Sequence, residues 1–461
     1  MSPDTRQGSD LSVMARHAGT VFAGQIAVMG FGVVDTIVAG RHSELALAAL
    51  SVGSAIYVSV YVSLMGLLQA LLPVWSEMHG ARRLADLGPS LRQSLYLCLA
   101  ATVLGMGVLF WPDPILRRTE IPQELRPLVA EYLAIVGFSL PGALLFRVFS
   151  TLNQALGRPQ LVTWLQLCSL LVKLPLSVWF TFGGFGLPAM GVVGCAWATL
   201  AVTAFLFVVG AWLLRTQPLY APLHLWRRLE APHGPTLREF LRLGVPTALS
   251  VLVEVTSFTL MALFIARIGT AASGAHQIAA NVAALLYMVP LSVGIAVSAR
   301  VSWWRGAGDE ARARATAWTG IRAAALMALA LAALLFVARP WVADIYSETP
   351  AVVALATGLL AWVALYHLAD GVQTVCIFVL RCYRITLAPL AVYCVLLWGL
   401  GLFGGFVAAY GPHPNALHGS PAAFWAGAAV ALACAAIAFV GMLRYVTARA
   451  RPLPALEPAH G

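Results

Sequence analysis

The sequence predicts an all-α integral membrane protein with twelve transmembrane helices in two six-helix lobes related by pseudo-two-fold symmetry. Hydrophobic residues make up 60% of the 461 positions and charged residues only 10%, whereas soluble domains carry about 25% charged residues. Apolar stretches of roughly 20 residues, the length that crosses a bilayer as a helix, recur along the chain. Matching residues also recur at one constant spacing in the two halves, which predicts the lobes.

The predicted spans are separated by short segments that hold most of the charged residues. They lie at 12–38, 46–76, 92–112, 127–150, 160–182, 190–214, 239–268, 273–303, 315–340, 351–380, 386–408 and 421–446. Glycine and proline recur within them, and a helix bundle tolerates both because neighbouring helices satisfy the freed backbone groups. Helices are favoured over a β-barrel, whose strands would alternate in hydrophobicity.

The basic residues are distributed unevenly between the predicted loops. When both termini are placed in the cytoplasm, most of the 29 basic residues fall on the cytoplasmic side, as the positive-inside rule requires. The net charge of +10 then needs no nucleic-acid partner. We expect a monomeric, multi-pass protein of the bacterial inner membrane, surrounded by the lipid bilayer and without a removable signal peptide. The seven cysteines lack metal-ligand spacing and are expected to be unpaired packing residues.

The two halves share one sequence register. The following pairs are separated by the same number of positions: Arg16 and Arg242, Ala70 and Ala296, Ser76 and Ser302, and Arg158 and Arg384. Six helices per half make the repeats parallel, about an axis along the membrane normal, and a cleft between such lobes can open alternately to either side. We assign 1–214 to the N-terminal lobe, 215–238 to a cytoplasmic linker, 239–446 to the C-terminal lobe and 447–461 to a cytoplasmic tail.

Five ionisable residues lie deep within apolar spans, where a charge costs about 2.5–3.5 kcal/mol on insertion scales and marks function by default. They are Asp35, Glu254, Asp370, Arg147 and Lys173. Glu254 and Asp370 belong to the same predicted lobe, so their carboxylates could together bind a hard cation through oxygen ligands or share protons. The alternative is a pair of permanently protonated structural acids, hydrogen-bonded to the backbone.

Polar residues share helical faces with some of these charges. Helical spacing aligns Tyr366 with Asp370 on the tenth span, and Lys173 with Ser177 on the fifth, where Pro175 is predicted to kink the helix. We hypothesise that Asp35 and Lys173 form an ion pair. Arg147 is expected to be structural.

Polar and aromatic residues on the eighth span offer further candidates for the same cavity. They are His276, Gln277, Asn281 and Tyr287. Packing between helices explains them equally well, so both interpretations stay open.

Four motifs resemble those of the multidrug and toxic compound extrusion (MATE) family, in its NorM-like branch, over residues 12–446. They are VVDTIVAGR at 33–41, ALGRPQ at 155–160, GVVGCAWAT at 191–199 and GAHQIAANV at 274–282. The resemblance implies antiport: export of small cationic drugs, dyes or toxins, driven by inward movement of Na⁺ or H⁺ as the coupling ion, with no other cofactor.

The resemblance also implies roles for individual residues. It assigns Glu254 and Asp370 to cation coordination, as the metal ligands if the ion is sodium, and Asp35 to coupling or substrate contact in the first lobe. It places Phe258 and Tyr287 in an aromatic wall beside the two acids.

Two positions depart from the family pattern. Lys173 and Ser177 stand on the fifth span, where family members commonly carry asparagines beside the first-span aspartate. A fixed ammonium opposes binding of a second cation, so coupling is expected to concentrate on Glu254 and Asp370.

Three other functions fit the sequence less well. A lipid-linked oligosaccharide flippase shares the broad superfamily but typically has a more cationic cavity. A membrane-embedded enzyme needs catalytic residues, and the H-E-x-x-H, G-x-S-x-G and phosphate-cradling patterns do not occur; His413 and His418 lie in a predicted external loop without an acidic partner. Paired buried acids suit a carrier, which binds and releases its ions, better than they suit the conducting pore of a channel.

Overall fold

The computed structural model describes residues 9–118, 122–184, 186–412 and 417–450. Residues 1–8, the part of the predicted tail from 451 to 461, and His413 lie outside these ranges. The described residues are helical apart from turns and one isolated bridge between Gly184 and Leu187. The predicted all-α fold is therefore confirmed.

The helices of the first half follow one another with short turns. They are α1 Asp10–His42, α2 Glu44–Gln69, α3 Leu72–Gly80, α4 Leu84–Phe110, α5 Asp113–Arg118, α6 Leu125–Gly137, α7 Leu140–Ala155, α8 Pro159–Phe182 and α9 Val192–Thr216, followed by a 3-10 turn, Pro218–Leu223.

The second half contains fewer and longer helices. They are α10 Gly234–Ala266, α11 Thr270–Gly306, α12 Glu310–Tyr346, α13 Pro350–Cys382, α14 Leu387–Tyr393, a π-helical stretch Cys394–Phe403, α15 Gly404–Tyr410 and α16 Ala422–Arg449.

Among the described residues, eleven helical segments are long and apolar enough to cross a membrane. The pair α6 and α7, bent by 45°, completes a twelfth span, so the predicted number is confirmed with one span broken. Pro141 lies in the first turn of α7, and it favours a break at this point because it has no N–H to continue the bonding pattern of α6 and its ring clashes with the preceding turn. The Phe138 N–H instead donates to the Ile135 carbonyl at 3.1 Å.

The internal repeat appears in the backbone as well as in the sequence. After α3 the Arg82 N–H donates to the His79 carbonyl at 3.1 Å, and after α11 the Gly308 N–H donates to the Arg305 carbonyl at 3.0 Å. Arg82 and Gly308 both adopt positive φ, 58° and 79°, a conformation that favours glycine. The turns before α4 and α12 therefore have the same geometry.

The chain divides into two compact units. Thr20–Ala248 forms one, and Leu249 onward, together with the described residues before Thr20, forms the other. The division falls inside α10, so this helix contributes to both units. In the unit that begins at Leu249, α13 packs against α11, α12 and α16, which makes it the central helix.

The segment that joins α9 to α10 is held against the unit that contains Thr20. The Tyr220 hydroxyl donates to Asn153 Oδ1 at 2.7 Å. Arg92 on α4 donates through Nε to Glu230 at 2.8 Å and through Nη1 to the His224 carbonyl at 2.7 Å. The segment predicted as a linker is thus docked onto α4 and α7.

Candidate cation-coupling site

Asp370 lies at the centre of the unit that begins at Leu249. It is 1% exposed on α13, and its Oδ1 accepts hydrogen bonds from Gln373 Nε2 at 3.0 Å and from the Thr374 hydroxyl at 3.3 Å. Both donors lie one helical turn further along the same helix. The Tyr393 hydroxyl donates to Gln373 Oε1, which fixes the orientation of the amide and so of the carboxylate.

Glu254 reaches the same region from α10. Its side chain is partly exposed, and it interacts electrostatically with Asp370 and with Arg381. Glu254 therefore lies within electrostatic range of Asp370 and of the basic Arg381. We call these three residues the coupling cluster. When all three are ionised, the cluster carries one excess negative charge.

Arg381 is a member of this cluster that the sequence did not suggest. The tenth span was predicted to end at 380, which placed Arg381 in a loop, whereas α13 continues to Cys382. Arg381 is 7% exposed and lies 4.6 Å from the centroid of the Phe378 ring. Arg381 is buried because α13 extends beyond the predicted end of the span.

Aromatic side chains pack beside the acids. The rings of Phe258, Tyr366 and Trp425 contact one another edge to face, with centroids 5.9–6.0 Å apart. Trp425 Nε1 donates to His276 Nδ1 at 3.3 Å. Trp425 is absent from the sequence-based set because its span carries no buried charge that would single it out.

The residues expected on α11 separate into two groups. Tyr287 interacts electrostatically with Glu254 and Asp370, so it lies near the acids. Gln277 and Asn281 are exposed and bond to each other, with Gln277 Nε2 donating to Asn281 Oδ1 at 3.2 Å.

Among the described residues, few metal-binding side chains lie near the two acids. In the described part of the chain, no three His, Cys, Asp or Glu side chains converge on one point. A sodium ion held by Glu254 and Asp370 would complete its shell with hydroxyl, amide or backbone oxygens, which hard cations accept. Thr374 Oγ1, 3.3 Å from Asp370 Oδ1, is one such oxygen.

The other unit contains a second buried charge pair. Lys173 Nζ on α8 donates to Asp35 Oδ2 at 2.8 Å and to the Thr199 hydroxyl at 2.7 Å, and the Ser177 hydroxyl donates to Asp35 Oδ1 at 3.0 Å. Lys173 is 1% exposed and Asp35 7%. The hypothesised ion pair is present, and Asp35 is both neutralised and hydrogen-bonded.

Arg147 on α7 is buried but differs from Lys173. Its Nε and Nη2 have no hydrogen-bond partner among the described residues, and it interacts electrostatically with Tyr61. A buried guanidinium of this kind was expected to be structural, and its role stays a prediction.

Comparison with known proteins decides the family. The family model described as MatE matches residues 21–179 and 246–407, more than half of the chain. The chain belongs to the MATE family. It is accordingly a membrane transporter and not an enzyme.

Individual relatives agree with this assignment to the MATE family. A probable multidrug resistance protein NorM of Aromatoleum aromaticum is 37% identical over 94% of this chain and 94% of its own length. The multidrug resistance protein MdtK of Yersinia pseudotuberculosis is 32% identical over 94% of this chain and 95% of its own.

A solved structure shares the MATE fold. An outward-facing multidrug resistance MATE family transporter superposes with a TM-score of 0.86 at 17% identity, over 96% of this chain and 97% of that one. At this identity the likeness shows the fold, and with it the two-lobe architecture.

Proposed function

We propose that this MATE transporter exports small, cationic amphipathic drugs or toxins in exchange for inward-moving sodium ions or protons, by alternating access between its two lobes. The multidrug resistance relatives support the substrate class. The observation that carries the proposal is the charged cluster of Glu254, Asp370 and Arg381 beside the Phe258 and Tyr366 rings.

The charge of the cluster provides a rationale for exchange. When ionised, the two carboxylates and one guanidinium leave a single negative charge in an apolar setting, where an unneutralised charge is costly. One monovalent cation, either a coupling ion or a cationic substrate, neutralises it. Because both would compete for the same charge, binding of one favours release of the other, and we infer a single coupling cation per cycle.

Aromatic rings suit a cationic amphipathic substrate. The faces of Phe, Tyr and Trp attract cations by about 0.5–2 kcal/mol, and the Phe258, Tyr366 and Trp425 rings lie together. We assign Tyr287 to the same wall, and Gln277 and Asn281 to substrate contact from the exposed face of α11.

The Asp35 site has a different assignment. Lys173 already neutralises its carboxylate at 2.8 Å, which leaves little attraction for a second cation. We infer that Asp35, Lys173 and Ser177 stabilise the N-terminal lobe or contact substrate, while the C-terminal lobe couples to the ion.

We also propose a topology for the chain in the membrane. The excess of arginine in the predicted cytoplasmic loops supports an inner-membrane location with both termini in the cytoplasm. We expect the transporter to act as a monomer, because each cycle uses a cluster within one lobe of one chain.

Transport in proteoliposomes tests the proposal. Purified protein is reconstituted, and movement of a cationic dye is followed first under a sodium gradient and then under a proton gradient. We expect one gradient to drive dye against its own gradient, with an anionic dye of similar size left unmoved. Equal dye movement with and without either gradient would contradict coupled export.

A further inference from the structure

Three arginines cluster at one end of the unit that begins at Leu249. Arg314 and Arg322 lie on α12 with Trp318 between them, at successive four-residue spacings that place all three on one helical face. Arg444 on α16 approaches the same face, with its guanidinium 5.8 Å from the centroid of the Trp318 ring. Together they line a recess of about 350 Å³, which we call the arginine recess.

Three other arginines of α11 and α12 have acidic partners. The pairs are Arg300 with Asp10 at 2.7 Å, Arg305 with Glu310 at 3.2 Å, and Arg312 with Asp309 at 3.3 Å. In the part of the chain that the structure describes, Arg314, Arg322 and Arg444 have no ion pair. Three like charges without a counter-charge repel one another, so the recess is suited to an anion.

An apolar groove continues from the arginine recess between α13 and α16. Its volume is about 700 Å³, and Arg444 lines both the groove and the recess. Leu365 and Val430, each 51% exposed, and Ile437, 74% exposed, form part of its wall. The groove lies on a different face of α13 from the buried Asp370, so it is separate from the coupling cluster.

The groove is longer than the hydrocarbon depth of one membrane leaflet. Its lining on α16 runs from Ala429 to Arg444, about 22 Å at 1.5 Å per residue. One leaflet contributes about half of a hydrocarbon core roughly 30 Å thick. A hydrocarbon chain that starts beside Arg444 could therefore lie along the groove for the full depth of its leaflet.

We propose that the arginine recess and the groove together bind one anionic phospholipid, with its phosphate among the three arginines and an acyl chain along the groove. Basic pockets between transmembrane helices on the cytoplasmic side bind anionic headgroups. The predicted topology places the start of α12, with Trp318, towards the cytoplasm, and tryptophan favours the membrane interface. A free phosphate would occupy the recess but leave the exposed apolar wall without a partner. The site is independent of the coupling cluster and of the transported cargo.

Lipid counting by native mass spectrometry tests the site. The full-length protein, purified in a mild detergent, is titrated with palmitoyl-oleoyl phosphatidylglycerol or with the phosphatidylcholine of the same chains. We expect one phosphatidylglycerol to be retained in preference to phosphatidylcholine. The triple variant Arg314→Gln, Arg322→Gln, Arg444→Gln should lose this preference, by about fivefold per arginine, whereas Arg312→Gln, which removes an ion-paired arginine of the same helix, should keep it.

A second variant tests the groove without changing charge. Ala433 lines the groove and is exposed, so Ala433→Phe should fill it and weaken phosphatidylglycerol binding severalfold. Ala330→Phe, at an exposed position of α12 outside the groove, should have no effect. Equal retention of both lipids, or native binding by the triple variant, would overturn the proposal. Native binding by Ala433→Phe, with displacement by glycerol phosphate, would overturn it in favour of a free phosphate.

Discussion

Lys173 and Asp35 form a buried pair in which each charge depends on the other. The pair is 2.8 Å apart, and Ser177 and Thr199 supply further hydrogen bonds. Removing one partner of a buried ion pair costs about 3–5 kcal/mol, whereas replacing both is often nearly neutral.

We therefore expect Lys173→Met alone to lower the thermal stability of the purified transporter markedly, because Asp35 is left as an isolated buried charge. The double variant Lys173→Met, Asp35→Asn should recover most of the loss. Scanning calorimetry or fluorescence-detected unfolding of the native protein, Lys173→Met, Asp35→Asn and the double variant gives the coupling energy. Additive effects of the two single changes would contradict a mutually dependent pair.

Arg381 sets the excess charge of the coupling cluster. Arg381→Gln should leave Glu254 and Asp370 with two negative charges, so that two cations are needed for neutrality. We expect a steeper dependence of dye transport on the coupling ion, with a Hill coefficient rising from about 1 towards 2, while Arg381→Lys should keep the original dependence. An unchanged coefficient in a folded Arg381→Gln protein would remove Arg381 from the charge balance.

At the scale of the elements, the segment that joins α9 to α10 was predicted as a cytoplasmic linker, and the structure shows it anchored on α4. Arg92 holds Glu230 and the His224 carbonyl, and this contact lowers the pKa of the Glu230 carboxyl. Ionised Glu230 therefore stabilises the contact fully at pH values above the pKa of an unfolded glutamate, about 4.3. This stabilisation is lost as the pH falls through the lowered pKa of Glu230.

We expect Arg92→Gln to increase hydrogen exchange across 224–233 at neutral pH, because the linker loses its anchor on α4. Native protein should show the same increase only on strong acidification. Arg83→Gln, which removes an exposed pair with Asp86, serves as the control and should leave the linker protected. Equal protection of the linker in native and Arg92→Gln protein would show that Arg92 does not hold it.

The elements differ in how far sequence alone predicts them. Long apolar stretches predict the spans well. The break at Pro141 was not predicted, because a proline in a membrane helix can be accommodated or can bend the helix, depending on the neighbouring helices. The π-helical stretch Cys394–Phe403 was not predicted, and it packs against α16. It begins directly after Tyr393, whose hydroxyl donates to Gln373. Helical spacing along the tenth span could not predict this contact, because Tyr393 lies on another helix.

At the scale of the molecule, one repeated framework carries two different charge arrangements. The turns at Arg82 and Gly308 have matching geometry, yet one unit contains an Asp35–Lys173 ion pair and the other two acids that have one basic residue, Arg381, within electrostatic range. Sequence identified Asp35, Glu254 and Asp370 because apolar spans make a charge conspicuous. It missed Arg381, Thr199 and Trp425, whose roles arise only from packing.

In the proposed mechanism, Glu254 and Asp370 couple the ion to transport. The most direct test of this coupling compares gradient-driven dye accumulation by native protein, Glu254→Gln and Asp370→Asn in proteoliposomes with equal protein content. Asp344→Asn, at an exposed acid of α12 in the same unit, is the matched control. We expect Glu254→Gln and Asp370→Asn to lose accumulation to background while Asp344→Asn keeps it. Native accumulation by both Glu254→Gln and Asp370→Asn would contradict the assignment.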